Sequence, residues 1–167
     1  MSIVIPGKRT TFFMSRFEAE KMTRELETLY VGLGPRAALI SMISPKRLFD
    51  SFGHVWTEPA VDGAWADVLK LKFDDKDPGH MSKAEAEQWI MFDDAMADQI
   101  IDFVDRNADR CNVFPVHCEA GISRSAAVAK FISVRFNLSF PESYMLYNKH
   151  VFSTLIRRWN QRNFSGS

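Results

Sequence analysis

The stretch from Ser125 to Phe136 carries Ala, Val, Phe and Ile on nearly every side of a helical wheel. A helix that is apolar all round cannot sit at a surface, so it must be enclosed by other elements. Just before it, Asn112 to His117 reads as a short apolar strand. A strand that turns directly into a buried helix belongs to a layered α/β fold, in which helices cover a sheet. Two further runs fit this arrangement. Ala37 to Ile43 is apolar throughout and bounded by Gly34-Pro35 and Pro45, the pattern of a buried strand. Asp67 to Phe73 alternates, with Leu69, Leu71 and Phe73 opposed to Val68, Lys70 and Lys72. Ser2 to Ile5 reads as an edge strand ended by Pro6.

The helical segments are marked by caps and spacing. Ser82-Lys83-Ala84-Glu85 has the capping-box pattern, and apolar positions from Ala86 to Val104 keep helical spacing, which predicts one helix to about Arg106. Ser139-Phe140-Pro141-Glu142 reads as a second capped start. A last helix carries Val151, Phe152, Leu155, Ile156 and Trp159, and a frayed tail follows from Asn163. The expected fold is α/β, with a single central, mostly parallel sheet flanked by helices. At 167 residues the chain reads as one domain over 1–167.

Composition narrows the function classes. Twenty-one Lys and Arg balance twenty-one Asp and Glu. Zero net charge argues against a broad nucleic-acid or anionic-membrane footprint, so any anion site must be local. Two cysteines, Cys111 and Cys118, are too few for a disulfide framework. The N-terminus lacks the pattern of a secretory signal, and no apolar run reaches membrane-spanning length. These features predict a cytoplasmic protein with reduced thiols and no membrane association. His54, His80 and His150 show no ligand spacing, so no metal is expected.

The chemistry concentrates in Val116-His117-Cys118-Glu119-Ala120-Gly121-Ile122-Ser123-Arg124-Ser125. In open α/β sheets, ligands bind at strand-to-helix turns of this kind. A helix N-terminus presents unpaired N–H groups and partial positive charge, and a loop curling into it makes an anion nest. Gly121 supplies the backbone freedom such a loop needs. Arg124 offers a planar fork for two phosphate oxygens. The same field favours the thiolate of Cys118, a nucleophile.

At His117, Cys118, Arg124 and Ser125 the sequence resembles the cysteine-dependent protein tyrosine phosphatases, whose signature is His-Cys-x5-Arg-Ser/Thr. Within them it looks like the compact dual-specificity-like group, and Ala-Gly-Ile-Ser-Arg-Ser-Ala looks like its bacterial and phage members. The resemblance implies a phosphatase fold and a phosphocysteine intermediate on Cys118. Arg124 and the amides of Glu119, Ala120, Gly121, Ile122 and Ser123 would hold the phosphoryl oxygens. Ser125 would hydrogen-bond the sulfur, and His117 would orient the loop. It implies no cofactor and a phosphorylated protein or peptide as substrate.

Loss of an alcohol oxygen needs a proton donor. The family carries an aspartate on a loop upstream of the cysteine, and Phe73-Asp74-Asp75-Lys76-Asp77-Pro78 resembles that loop. Asp75 is the first choice, then Asp74, then Asp77. The interval from Asp75 to Cys118 is longer than in compact members of the family, and the Ser82–Arg106 helix would fill it. Asn148 lies where related chains carry a pocket-supporting asparagine. Cys111 is either inert or a resolving thiol for Cys118. Other functions remain open at this level: a phosphopeptide-binding module without turnover, or a phosphatase for phosphoinositide or RNA 5′-phosphate. Glu119 beside the cysteine, with no lysine in the loop, disfavours a highly anionic substrate.

Overall fold

The computed structural model describes residues 8–29, 36–46 and 56–164. Four strands and five α-helices run through them in the order β1 (Thr10–Ser15), α1 (Arg16–Leu29), β2 (Ala38–Ile43), β3 (Asp67–Lys72), α2 (Lys83–Ala86), α3 (Asp94–Asn107), β4 (Val113–Cys118), α4 (Arg124–Arg135) and α5 (Lys149–Phe164). The strands form one sheet in the order β1-β4-β2-β3, and every pairing is parallel. This is the expected α/β architecture.

Alternation along the strands divides the core between two faces. Ala38, Ile40 and Met42 of β2 join Phe114 and Val116 of β4 in the larger cluster, packed beneath α3, α4 and α5. Leu39 and Met14 turn the other way and meet Ala19 of α1 and Val61. Helix α4 is buried almost end to end, from Arg124 through Ser133. It lies against both β4 and β1 and under α5, which explains its all-round apolar sequence.

β1 and α1 carry no expectation from periodicity, yet a local signal is present. Ser15 Oγ accepts the Glu18 N–H at 3.2 Å, and Glu18 Oε2 accepts the Ser15 N–H at 2.7 Å. That reciprocal pair is a capping box, and Ser15-x-x-Glu18 announces it in the sequence.

The structure corrects three expectations. The single helix from Ser82 to Arg106 is two helices. The capping box at Ser82 forms, but α2 stops at Ala86, and α3 starts afresh under the Asp93 cap, whose carboxylate accepts Met96 N–H at 2.9 Å. Between them the chain is pulled to the end of β3. Asp74 N–H donates to Ile90 O at 2.7 Å, and Phe92 packs on Phe73 with ring centres 5.0 Å apart. Burial of Phe92 and these backbone bonds outweigh one more turn of helix. The expected helix start at Ser139–Glu142 is a turn, closed by Tyr144 N–H on Pro141 O at 3.1 Å. Phe140 and Tyr144 there stack around Phe13 of β1, a packing a helix from Ser139 does not provide. Asn163 and Phe164 belong to α5 rather than to a tail. The expected strand Ser2–Ile5, residues 165–167 and His54 lie outside the described residues.

Because all four strands are parallel, their carboxyl ends gather at one edge of the sheet. Ser15, Ser44, Phe73 and Cys118 are thereby brought together at that edge. Among the described residues no helix is long and apolar enough to cross a membrane.

Candidate active site

Cys118 ends β4 and is 2% exposed. Its Sγ accepts the Gly121 N–H at 3.3 Å and lies 3.1 Å from Ser125 Oγ. Glu119 to Ser123 therefore curl over the sulfur and into the first turn of α4. Gly121 holds φ +70, and a Cβ there would lie 2.3 Å from Ser15 N and 2.4 Å from the Met14 carbonyl carbon. Glycine is required twice at this position, for the left-handed backbone and for contact with the end of β1.

The loop's carbonyls are tied outward. Glu119 O accepts the Arg16 N–H at 3.2 Å, Ile122 O accepts the Tyr144 hydroxyl at 2.6 Å, and Ser123 O accepts the Asn148 N–H at 3.1 Å. In a trans peptide the N–H points opposite to the C=O. Anchoring these three oxygens turns the amides of Ala120, Ser123 and Arg124 away from Arg16, Tyr144 and Asn148. Arg16 and Tyr144 were not anticipated from the sequence, because their partners are backbone atoms far along the chain.

Arg124 is 4% exposed. Its Nη1 donates to Phe73 O at 2.6 Å and to Ser44 Oγ at 3.2 Å, so the guanidinium is clamped across the ends of β2 and β3. Its Nε is buried with no hydrogen-bond partner. A buried guanidinium N–H without an acceptor is costly, and an anion in the loop would satisfy it.

His117 faces the opposite side of the sheet. It is fully buried, and its Nε2 lies 2.6 Å from Ser41 Oγ, its neighbour across the β4–β2 pairing. Burial drives its pKa from 6.5 down to about 4, assisted by the positive charge of Arg16 and opposed by the contact of Nδ1 with Cys118 O. The imidazole is therefore neutral at pH 7 and links the floor of the loop to β2.

The three aspartates occupy different environments. Asp74 is buried, and its Oδ2 accepts the Ile90 N–H at 2.8 Å. Asp77 caps the 3-10 turn Pro78–His80 through the Gly79 N–H at 2.9 Å. Asp75 is exposed, and its Oδ1 accepts both Ser123 Oγ and Asn148 Nδ2 at 2.8 Å. Asp75 and Asn148 are thus both hydrogen-bonded at the cysteine loop, 43 and 30 positions from Cys118 in opposite directions along the chain. Glu119 sits 3.8 Å from Arg16 Nη1. Arg16 also donates to Thr57 Oγ1 at 2.7 Å and Glu58 O at 3.1 Å, tying the loop to the segment that follows residue 56.

Cys111 lies at the other end of β4. Five residue steps of extended strand separate Val113 from Cys118, roughly 16 Å, whereas a disulfide needs Cα atoms within about 7 Å. Direct pairing with Cys118 is excluded in this fold. Burial pushes the Cys111 thiol up, which suits an inert core residue.

The fold and site define a parallel α/β protein whose strand-to-helix loop carries a buried thiol and a buried guanidinium. No family model matches the chain, and no curated protein sequence is similar to it. Among solved structures it is similar to one described as "Crystal structure of Tk-PTP in the active form", with 12% identity, a TM-score of 0.42, and coverage of 99% of this chain and 86% of that one.

Proposed function

We propose that this protein is a cysteine-dependent phosphomonoesterase acting on phosphotyrosine in proteins or peptides, with phosphoserine and phosphothreonine as further substrates if the pocket is shallow. The observation that carries the reading is the pairing, in one loop, of a buried Cys118 sulfur that accepts the Gly121 N–H with a buried Arg124 whose Nε lacks an acceptor. A dianionic phosphoryl group would supply that acceptor and sit beside the sulfur.

The reaction runs in two displacements. The Cys118 thiolate attacks phosphorus and forms the S–P bond as the P–O bond to the substrate breaks. Asp75 gives its proton to the departing oxygen, and Arg124 with the loop amides holds the three equatorial oxygens. Water then attacks the phosphocysteine, Asp75 takes up the water's proton, and inorganic phosphate leaves as the thiolate is regenerated. Ser125, at 3.1 Å from Sγ, donates to the departing sulfur in this second step.

The test is phosphate release from p-nitrophenyl phosphate by wild type and Cys118→Ser in reducing buffer. We expect vanadate-sensitive turnover that falls to background in the variant. Equal turnover in Cys118→Ser refutes the nucleophile. No turnover by folded, reduced wild type refutes the enzyme and favours a phosphopeptide-binding module.

A further inference from the structure

Asn148 joins three pieces of the molecule that are distant in sequence. Its backbone N–H donates to Ser123 O at 3.1 Å, in the cysteine loop. Its Oδ1 accepts the Val151 N–H at 3.0 Å, at the start of α5. Its Nδ2 donates to Asp75 Oδ1 at 2.8 Å and to Lys76 O at 3.2 Å. The amide orientation is dictated by these partners, since an oxygen must face Val151 N–H and a nitrogen must face the two acceptors. Asn148 itself is 7% exposed, whereas its partner Asp75 is exposed.

Ser123 Oγ donates to the same Asp75 oxygen at 2.8 Å. Two donors on Oδ1 fix the carboxyl's rotation and leave Oδ2 outside this pair of bonds. On the far side of the loop, Lys76 Nζ lies 4.2 Å from the centre of the Trp89 ring, so Lys76 is held at both its carbonyl and its ammonium.

We propose that Asn148 is a positioning residue that latches the Asp75 loop against the cysteine loop, so that the acid is held in place by a side chain 73 positions away. The proposal rests on the phosphatase reading for its catalytic consequence, but the latch itself is a set of hydrogen bonds that stands apart from that reading. Preorganised placement of the acid accelerates the step that needs a proton and does nothing for a leaving group that needs none.

The discriminating variant is Asn148→Asp. Aspartate keeps an acceptor for the Val151 N–H, so the cap on α5 survives. It removes both Nδ2 donations and sets a second carboxylate against Asp75. Asn148→Ala, which loses the cap as well, serves as the control for a purely structural role. Two readouts apply. The first is kcat on phenyl phosphate, a poor leaving group, against 2,4-dinitrophenyl phosphate, a good one. In Asn148→Asp we expect the phenyl phosphate rate to fall by roughly tenfold or more with the dinitrophenyl rate changed by less than about threefold, the same direction as in Asp75→Asn. An unchanged ratio, or an equal fall on both esters, overturns the proposal. The second readout is hydrogen exchange of residues 73–78 without ligand. We expect protection in wild type and exchange at least roughly tenfold faster in Asn148→Asp. A segment that exchanges freely in wild type overturns the latch. A wild type that turns over no ester refutes the phosphatase reading, and the exchange result still decides the latch.

Discussion

Two loops meet at the carboxyl edge of the sheet, and they are built differently. The loop after β4 is seven residues from Cys118 to Arg124, gripped by backbone. Its glycine presses on the end of β1, its carbonyls are tied to Arg16, Tyr144 and Asn148, and it runs at once into a buried helix. The excursion after β3 is three times as long, from Phe73 to Asp93, and passes through a 3-10 turn and one turn of α-helix. Apart from the Asp74 N–H bond to Ile90 O and its own local turns, it is held by single side chains: Asp74 on Ile90, Asp77 on Gly79, Ser123 and Asn148 on Asp75. A loop clamped largely by backbone holds the Cys118 sulfur in one place. A loop pinned by side-chain contacts can be released by changing one residue at a time.

A glycine in each loop sharpens this contrast. Gly121→Ala places a Cβ 2.3 Å from backbone that cannot yield, at a positive φ. We expect a loss of about 4 kcal/mol or more, measured by urea denaturation, with phosphate binding lost as well. Gly79→Ala meets the Asp77 carboxylate at 3.2 Å, a side chain free to shift. Its cost should stay under about 1 kcal/mol. Similar losses for the two would break the comparison.

The floor of the first loop should respond to pH. His117 has a pKa of about 4 when folded against 6.5 otherwise. Between these values the unfolded chain binds the extra proton, so stability rises with pH through that window. The contribution is complete above about pH 6.5 and is lost as pH falls toward 4, at most about 3 kcal/mol. Denaturation curves across pH 4–7 check this, and His117→Gln should remove that part of the slope.

The smallest effects belong to the second loop. Asp74→Ala leaves the Ile90 N–H without its carboxylate acceptor and should cost about 2 kcal/mol by urea denaturation. Asp77→Asn keeps an acceptor for the Gly79 N–H and should change stability by less than about 0.5 kcal/mol. A larger loss in Asp77→Asn than in Asp74→Ala would show that the Pro78 turn, and not the Asp74–Ile90 contact, anchors the excursion.

The two loops also differ in how much of them can be read from the chain. Cys118, Gly121, Arg124 and Ser125 stand within eight residues, at spacings that only a strand-to-helix turn makes sense of. The loop after β3 offers three aspartates in four positions, and in the sequence only the resemblance at Phe73-Asp74-Asp75 ranks them. Asp75 reaches the cysteine loop because Ser123 and Asn148, 48 and 73 positions away, come to meet it, while Asp74 and Asp77 bond Ile90 and Gly79 within their own excursion. The broken helix has the same origin. Helical spacing continues through Trp89 and Ile90, but the chain bends there because Asp74 and Phe73 offer partners that periodicity does not record.

The chain by itself determined the layered α/β class, three of the four described strands, the buried helix after the cysteine and the residues of its loop. Each of these depends on neighbours close in sequence: apolar period, turn residues and caps. Only the tertiary structure decided where the Ser82–Arg106 segment breaks, which hydrogen bonds tie Asp75 and Asn148 to the cysteine loop, and that Arg16 and Tyr144 brace that loop. Those outcomes depend on hydrogen bonds between groups tens of residues apart, which exist only once the parallel strands have brought their carboxyl ends to one edge.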